Sequence, residues 1–255
     1  MRNNPKENSG SVQFEIPKEV REKMEHAENL HELIDEAEVA DLHYVDVSKR
    51  KYWFFKRVLD IVCTVGGLMI LLLPLLLVAL IIFVDDPGPV FFRQYRVGRN
   101  GKRFQIYKFR SMRMDTPKYM STMEIDDPEK YITRVGKVLR KFSIDELPQL
   151  INVLRGEMSL VGPRPLISDE YEIHEIRKRF GVYNVRPGVT GLAQINGRDK
   201  VTPAEKVHWD VRYLEHFNLW TDVRILVATV PRIFGGAGVV EGFDGKNTRS
   251  EEKGA

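Results

Sequence analysis

The sequence predicts a mainly α fold with one small β-hairpin, tied to a membrane by a helix that bends and returns to the side from which it entered. Three observations carry this. A charge-free run from Ile61 to Val84 is interrupted near its middle by Pro74, basic residues stand on both of its flanks, and the remaining chain mixes helical periodicity with Gly and Pro punctuation.

Residues 1 to about 13 are polar and predict no ordered structure. From Pro17 to about Ala40, apolar residues such as Val20, Met24, Leu30, Leu33, Ile34 and Ala37 recur at helical spacing. That pattern predicts an amphipathic helix that packs on the body of the protein or on a second copy, which would make a homodimer. Tyr52, Trp53, Phe54 and Phe55 then lead into Lys56 and Arg57, a mixture that suits the headgroup layer of a bilayer.

The apolar run itself, about 24 residues at about 1.5 Å each, reaches about 36 Å and is long enough for a hydrocarbon core of about 30 Å. Its flanks argue against crossing. Lys51, Lys56 and Arg57 precede it, and Arg93, Arg96, Arg99, Lys102 and Arg103 follow it. The positive-inside bias keeps both sides cytoplasmic. Pro74 lacks a backbone donor and clashes with the preceding turn, so each half is too short to span alone. The reading is a re-entrant helix over 51–86; a single kinked span is the competing one. The run starts after about sixty residues with no small-residue cleavage pattern, so it is an anchor and not a removable signal.

Asp85, Asp86, Pro87, Gly88 and Pro89 end the helix, and Val90 to Phe109 alternates around Gly98, Asn100 and Gly101 as a hairpin does. From Arg93 to Arg113 every charged side chain is basic, although the whole chain carries only +3 with a pI of 8.8. Such a local field calls for phospholipid, nucleotide diphosphate or nucleic acid, unless it is simply a solvated strand face. Residues 114–133 read as loop or short helices. Arg134 to Leu154 reads as a helix, a turn, and a second helix beginning near Asp145. Met158 to Pro165 is extended, with Arg164 held stiffly between Pro163 and Pro165. Glu170 to Phe180 is helical, Arg186 to Arg198 is a loop, and Pro203 to about Phe234 is one last helical stretch. Four regions result: 1–50, a polar segment and amphipathic helix; 51–86, the membrane helix; 87–234, a cytoplasmic domain; 235–255, a loose tail. With 43% apolar residues in 255, a core is well supplied. The single cysteine, Cys63, excludes an intrachain disulfide and fits a reducing, cytoplasm-facing location.

The adjacent pair Asp145 and Glu146 is the sharpest chemical candidate. Ser143 with Glu146 also has capping-box spacing, a purely structural explanation. Pro148 favours Asp145 as the N-cap, because it then falls at the third helical position and not the fifth. Both carboxylates would then sit at a helix mouth that keeps them ionised. An ionised Asp is a usable nucleophile toward phosphorus. Lys108, Arg110, Arg140, Lys141, Arg164, Arg186 and Arg198 lie on segments that turns can gather around the pair, and phosphoryl transfer depends mostly on positioning and charge neutralisation. Magnesium fits, since it binds through few carboxylates plus substrate phosphate oxygens. Surface salt bridges are the competing explanation. The chain has no zinc-protease histidine pair and no nucleotide-hydrolase glycine loop.

Six runs resemble the bacterial sugar transferase family, the monotopic polyprenyl-phosphate phosphoglycosyl transferases: Lys56 to Asp60, Gly88 to Gln94, Tyr107 to Met112, Asp145 to Leu150, Val161 to Pro165 and Arg186 to Gly191. In order, they cover about Tyr52 to Phe234. The resemblance implies that Asp145 attacks the β-phosphate of a nucleotide diphosphate sugar and holds a phosphosugar until polyprenyl (undecaprenyl) phosphate takes it. Glu146 would act as metal ligand or as base. Lys108, Arg110, Arg140 and Arg164 would grip phosphates, and the stretch from Arg186 to Arg198 would hold the nucleotide. The implied setting is the cytoplasmic face of the bacterial inner membrane, with Mg2+ and membrane lipid as partners and no nucleic acid. The family's helix breaks at Ser-Pro; here Leu73 precedes Pro74, so no hydroxyl back-bonds at the bend. A glycosyltransferase releasing nucleoside diphosphate, and a basic membrane scaffold without turnover, are the alternatives.

Overall fold

The structure, a computed structural model, describes residues 39–48, 51–116, 128–167, 170–196 and 202–235. Helix α1 runs from Tyr52 to Asp85 and stays helical across Pro74. Among the described residues it is the one helix long and apolar enough to cross a membrane, and only 6% of its most apolar window is buried in the protein. So apolar a surface left uncovered is what a bilayer solvates, and a soluble core would bury it.

Both ends of α1 dock on one body. At its N-terminal end, Lys56 Nζ pairs with Asp222 Oδ2 at 2.5 Å and donates to the Val161 carbonyl at 2.9 Å. The hydroxyls of Tyr52 and Tyr213 donate to the same Asp222 carboxylate, and Asp60 Oδ1 accepts from Ser159 Oγ and Leu160 N, both at 2.9 Å. At the other end, Ile82 packs with Phe109 and Leu139, Asp85 accepts from Val135 N, and Asp86 meets Arg110. The headgroup placement of Tyr52 to Arg57 therefore needs correcting. Trp53 packs at a tilt on Phe217, ring centroids 4.9 Å apart, and Arg57 donates to the carbonyls of Val153 and Leu154. Only Phe54 and Phe55 of that group face outward, because helical spacing turns alternate sides of the segment to the body.

The hairpin forms as expected: β1 (Phe91–Val97) pairs antiparallel with β2 (Arg103–Phe109), with Arg93 opposite Tyr107. Asn100 and Gly101 take the left-handed conformation that the turn requires. Helix α2 (Arg134–Lys141) is capped by Thr133, whose side chain accepts from Gly136 N. A 3-10 turn (Ile144–Gln149) then leads into α3 (Leu150–Leu154). Strand β3 (Ser159–Val161) pairs in parallel with β4 (Gly188–Thr190), and α4 (Tyr171–Arg179) makes the crossover between them. Where the sequence predicts a loop from Arg186 to Arg198, the structure forms β4 and α5 (Leu192–Ile195). Their hydrophobic pattern is too short to register as a periodicity.

The final helical stretch is two helices, α6 (Pro203–Glu215) and α7 (Leu219–Gly235). Asn218 explains the division, because its Oδ1 accepts from Thr221 N and starts a new helix. The main core gathers Val39, Val45 and Val47 with Phe180, Val211, Leu214, Phe217 and Ile225. The predicted helix from Pro17 to Ala40 lies almost wholly outside the described residues, as does the tail beyond Gly235.

Candidate active site

Four elements converge on one pair of carboxylates. Strand β2 contributes Lys108, the 3-10 turn Asp145 and Glu146, the last turn of α2 Arg140, and the loop after β3 Arg164. Lys108 Nζ donates to Glu146 Oε1 at 2.7 Å, and Arg164 Nη2 donates to the same oxygen at 3.2 Å. Asp145 is buried. Burial pushes its carboxyl up to about 6, the Glu146 charge adds to the rise, and Lys108, Arg140 and Arg164 oppose it. The result is a carboxylate that is ionised at neutral pH yet poorly solvated, held so by three cations. A poorly solvated, ionised carboxylate can act as a nucleophile.

The N-cap assignment of Asp145 is corrected here. The chain reverses at Ser143, whose left-handed backbone (φ 54°) starts the winding two residues earlier. Ser143 makes no side-chain cap, so the capping box does not form either, although both carboxylates remain in the first turn. Arg164 is stiffened from behind as well as by its prolines. Gly162 N donates to Thr190 O and Gly188 N to Pro163 O, each at 2.9 Å, and Arg177 Nη1 donates to Arg164 O at 2.8 Å. Arg177 is itself buried against Asp210. A Cβ at Gly188 would overlap the Gly162 amide nitrogen and the Thr190 carbonyl. Gly188→Ala is therefore expected to cost about 1–3 kcal/mol in chemical denaturation, with a shift of the Arg164 loop that raises KM.

Of the other expected phosphate ligands, Arg110 turns to Asp86 at the end of α1, and Arg186 Nε donates to Gly156 O at 2.7 Å. Neither is among the charges acting on Asp145. Arg198 lies outside the described residues. One residue was missed. Arg96 reaches the Pro165 carbonyl at 3.5 Å, and its pKa falls to about 10 through burial and the neighbouring Arg164 charge. Its Nε is buried without a hydrogen-bond partner. The available signal was the strand alternation that sets Arg96 on the face opposite Arg93 and Tyr95.

Among the described residues no three or more His, Cys, Asp or Glu cluster as a metal cage. Two carboxylates beside several cations suit magnesium, which takes one or two protein carboxylates and fills its shell with water and substrate oxygens. Asp145 and Glu146 would hold it.

Residues 51–236 match the family described as "Bacterial sugar transferase". The "Undecaprenyl-phosphate galactose phosphotransferase" of Salmonella typhimurium is 39% identical over 72% of this chain and 41% of its own length. The "UDP-glucose:undecaprenyl-phosphate glucose-1-phosphate transferase" of Caulobacter vibrioides is 45% identical over 70% of this chain and 69% of its own. The "Exopolysaccharide production protein ExoY" of Sinorhizobium fredii is 37% identical over 70% and 84%. The chain thus spans less than half the length of some curated relatives and most of others.

Proposed function

The chain belongs to the bacterial sugar transferase family, and from that premise we propose that it transfers a sugar 1-phosphate from a nucleotide diphosphate sugar to polyprenyl phosphate, initiating polysaccharide or glycoconjugate synthesis. The observation that carries the reading is a buried, cation-ringed Asp145 whose neighbour Ile144 packs on the cluster that includes Ile82, near the C-terminal end of the uncovered apolar helix. The Caulobacter relative's name pairs just such a donor with just such an acceptor.

In the first half-reaction, a carboxylate oxygen of Asp145 attacks the β-phosphorus. The bond to the bridging oxygen breaks, and the nucleoside monophosphate leaves with that oxygen. In the second, a phosphate oxygen of the polyprenyl phosphate attacks the same phosphorus and Asp145 departs as carboxylate. The product is a polyprenyl diphosphate sugar. Lys108, Arg164 and Arg140 neutralise the charge gathering on the phosphoryl oxygens, while Glu146 fixes Lys108 and Arg164 in place. Magnesium, when bound, would supply further neutralisation of the diphosphate. The test is the released nucleotide: monophosphate supports this account, and diphosphate would mean sugar transfer without phosphate. Turnover is expected to fall as pH drops through about 6, where Asp145 takes up a proton.

We also read α1 as re-entrant and the body as cytoplasmic, at the bacterial inner membrane. A straight helix of 34 residues would separate its ends by about 51 Å, yet both ends bond to one body. Cysteines placed at Lys51 and Asp86 in a Cys63→Ser background are expected to label from the same face of sealed inner-membrane vesicles. Labelling from opposite faces would require a spanning helix.

A further inference from the structure

Arg57, Arg99 and Arg186 form a second basic cluster, on the flank of the body beside Gly156. Arg57 donates to Val153 O and Leu154 O, Arg186 Nε donates to Gly156 O, and the Arg99 guanidinium lies over the Trp53 ring, 4.4 Å from its centroid. The charges of Arg57 and Arg99 both act on Arg186. Among the described residues none of the three forms an ion pair with a carboxylate, and Arg99 donates no hydrogen bond; its Nε is buried without a partner. Asp60 is the acidic group whose charge reaches Arg186, but its Oδ1 is already bonded to Ser159 and Leu160. Like charges brought this close, with donors to spare, are stabilised by an added anion.

We propose that Arg57, Arg99 and Arg186 bind a phosphate-bearing anion at a site separate from Asp145. Guanidinium forks match tetrahedral phosphate oxygens, and several forks meeting at one place favour phosphate over a lone carboxylate. The site borders the lipid surface, because Phe54, Val58 and Ile61 are exposed on the same helix as Arg57. A phospholipid headgroup and a free phosphate share this chemistry. Binding here is independent of the transfer reaction.

The experiment measures the Tm of the full chain in neutral detergent against two probes, inorganic phosphate and dihexanoyl phosphatidylglycerol, in an Arg164→Gln background that weakens anion binding beside Asp145. At least one probe is expected to raise Tm. Adding Arg99→Gln, which removes no hydrogen bond of the fold, is expected to shift the half-maximal concentration upward about tenfold. Saturation at lower phosphatidylglycerol identifies a headgroup, and saturation at lower inorganic phosphate identifies a free anion. No rise with either probe, or an unchanged response after Arg99→Gln, would overturn the proposal.

Discussion

Asp145→Asn is expected to lower turnover by about a thousandfold or more while making the protein more stable at neutral pH. The kinetic half follows from removing the attacking oxygen with little change in shape. The stability half follows from the raised pKa. A carboxyl that burial lifts to about 6 binds its proton more tightly when folded. Its contribution to stability is complete below the unfolded value of about 4 and is lost as pH rises through about 6. At pH 7.5 the wild type therefore carries an ionisation penalty on the order of 1–3 kcal/mol that the amide does not. Melting curves of the two proteins should converge near pH 4, draw apart as pH rises toward 6 and stay apart above it. An Asn variant that is dead but no more stable at pH 7.5 would mean that Asp145 is solvated, not buried.

Lys56→Met is expected to destabilise the protein by about 3–5 kcal/mol, because it leaves Asp222 buried with only the hydroxyls of Tyr52 and Tyr213 to hold its charge. That is a large share of the roughly 5–15 kcal/mol that a folded domain has. The loss falls on the junction between α1 and the body, since Lys56 also holds the Val161 carbonyl beside the Arg164 loop. Pairing it with Asp222→Leu removes both charges and is expected to recover much of the loss. Thermal melting of the single and double variants in detergent measures the coupling. Additive losses would show that the pair does not fasten the helix.

Much of the site was legible because its parts carry local signals: a hairpin turn at Asn100 and Gly101, a proline-stiffened Arg164, and paired carboxylates ahead of Pro148. Lys108 and Arg164 were both expected near Asp145, and the structure brings both to Glu146. What stayed hidden depends on contacts distant in sequence. Nothing near Lys56 announces Asp222, so Lys56 reads as a headgroup lysine until α7 folds against it. Arg96 joins the site only through the pairing of β1 with the loop at Pro165, and Arg186 leaves it because Gly156 offers a carbonyl. Ser143 could not be read as the turning point, since its left-handed backbone is set by how α2 meets the 3-10 turn and not by any propensity of serine.

Everything in the mechanism turns on whether Asp145 carries the phosphosugar. The direct measurement is mass spectrometry of the protein quenched in acid after incubation with nucleotide sugar and magnesium, without polyprenyl phosphate. The account predicts the added mass of one sugar phosphate on the peptide containing Asp145, discharged when polyprenyl phosphate is supplied and absent in Asp145→Asn. An active enzyme that releases nucleoside monophosphate only when the acceptor is present, with Asp145 never modified, would contradict it.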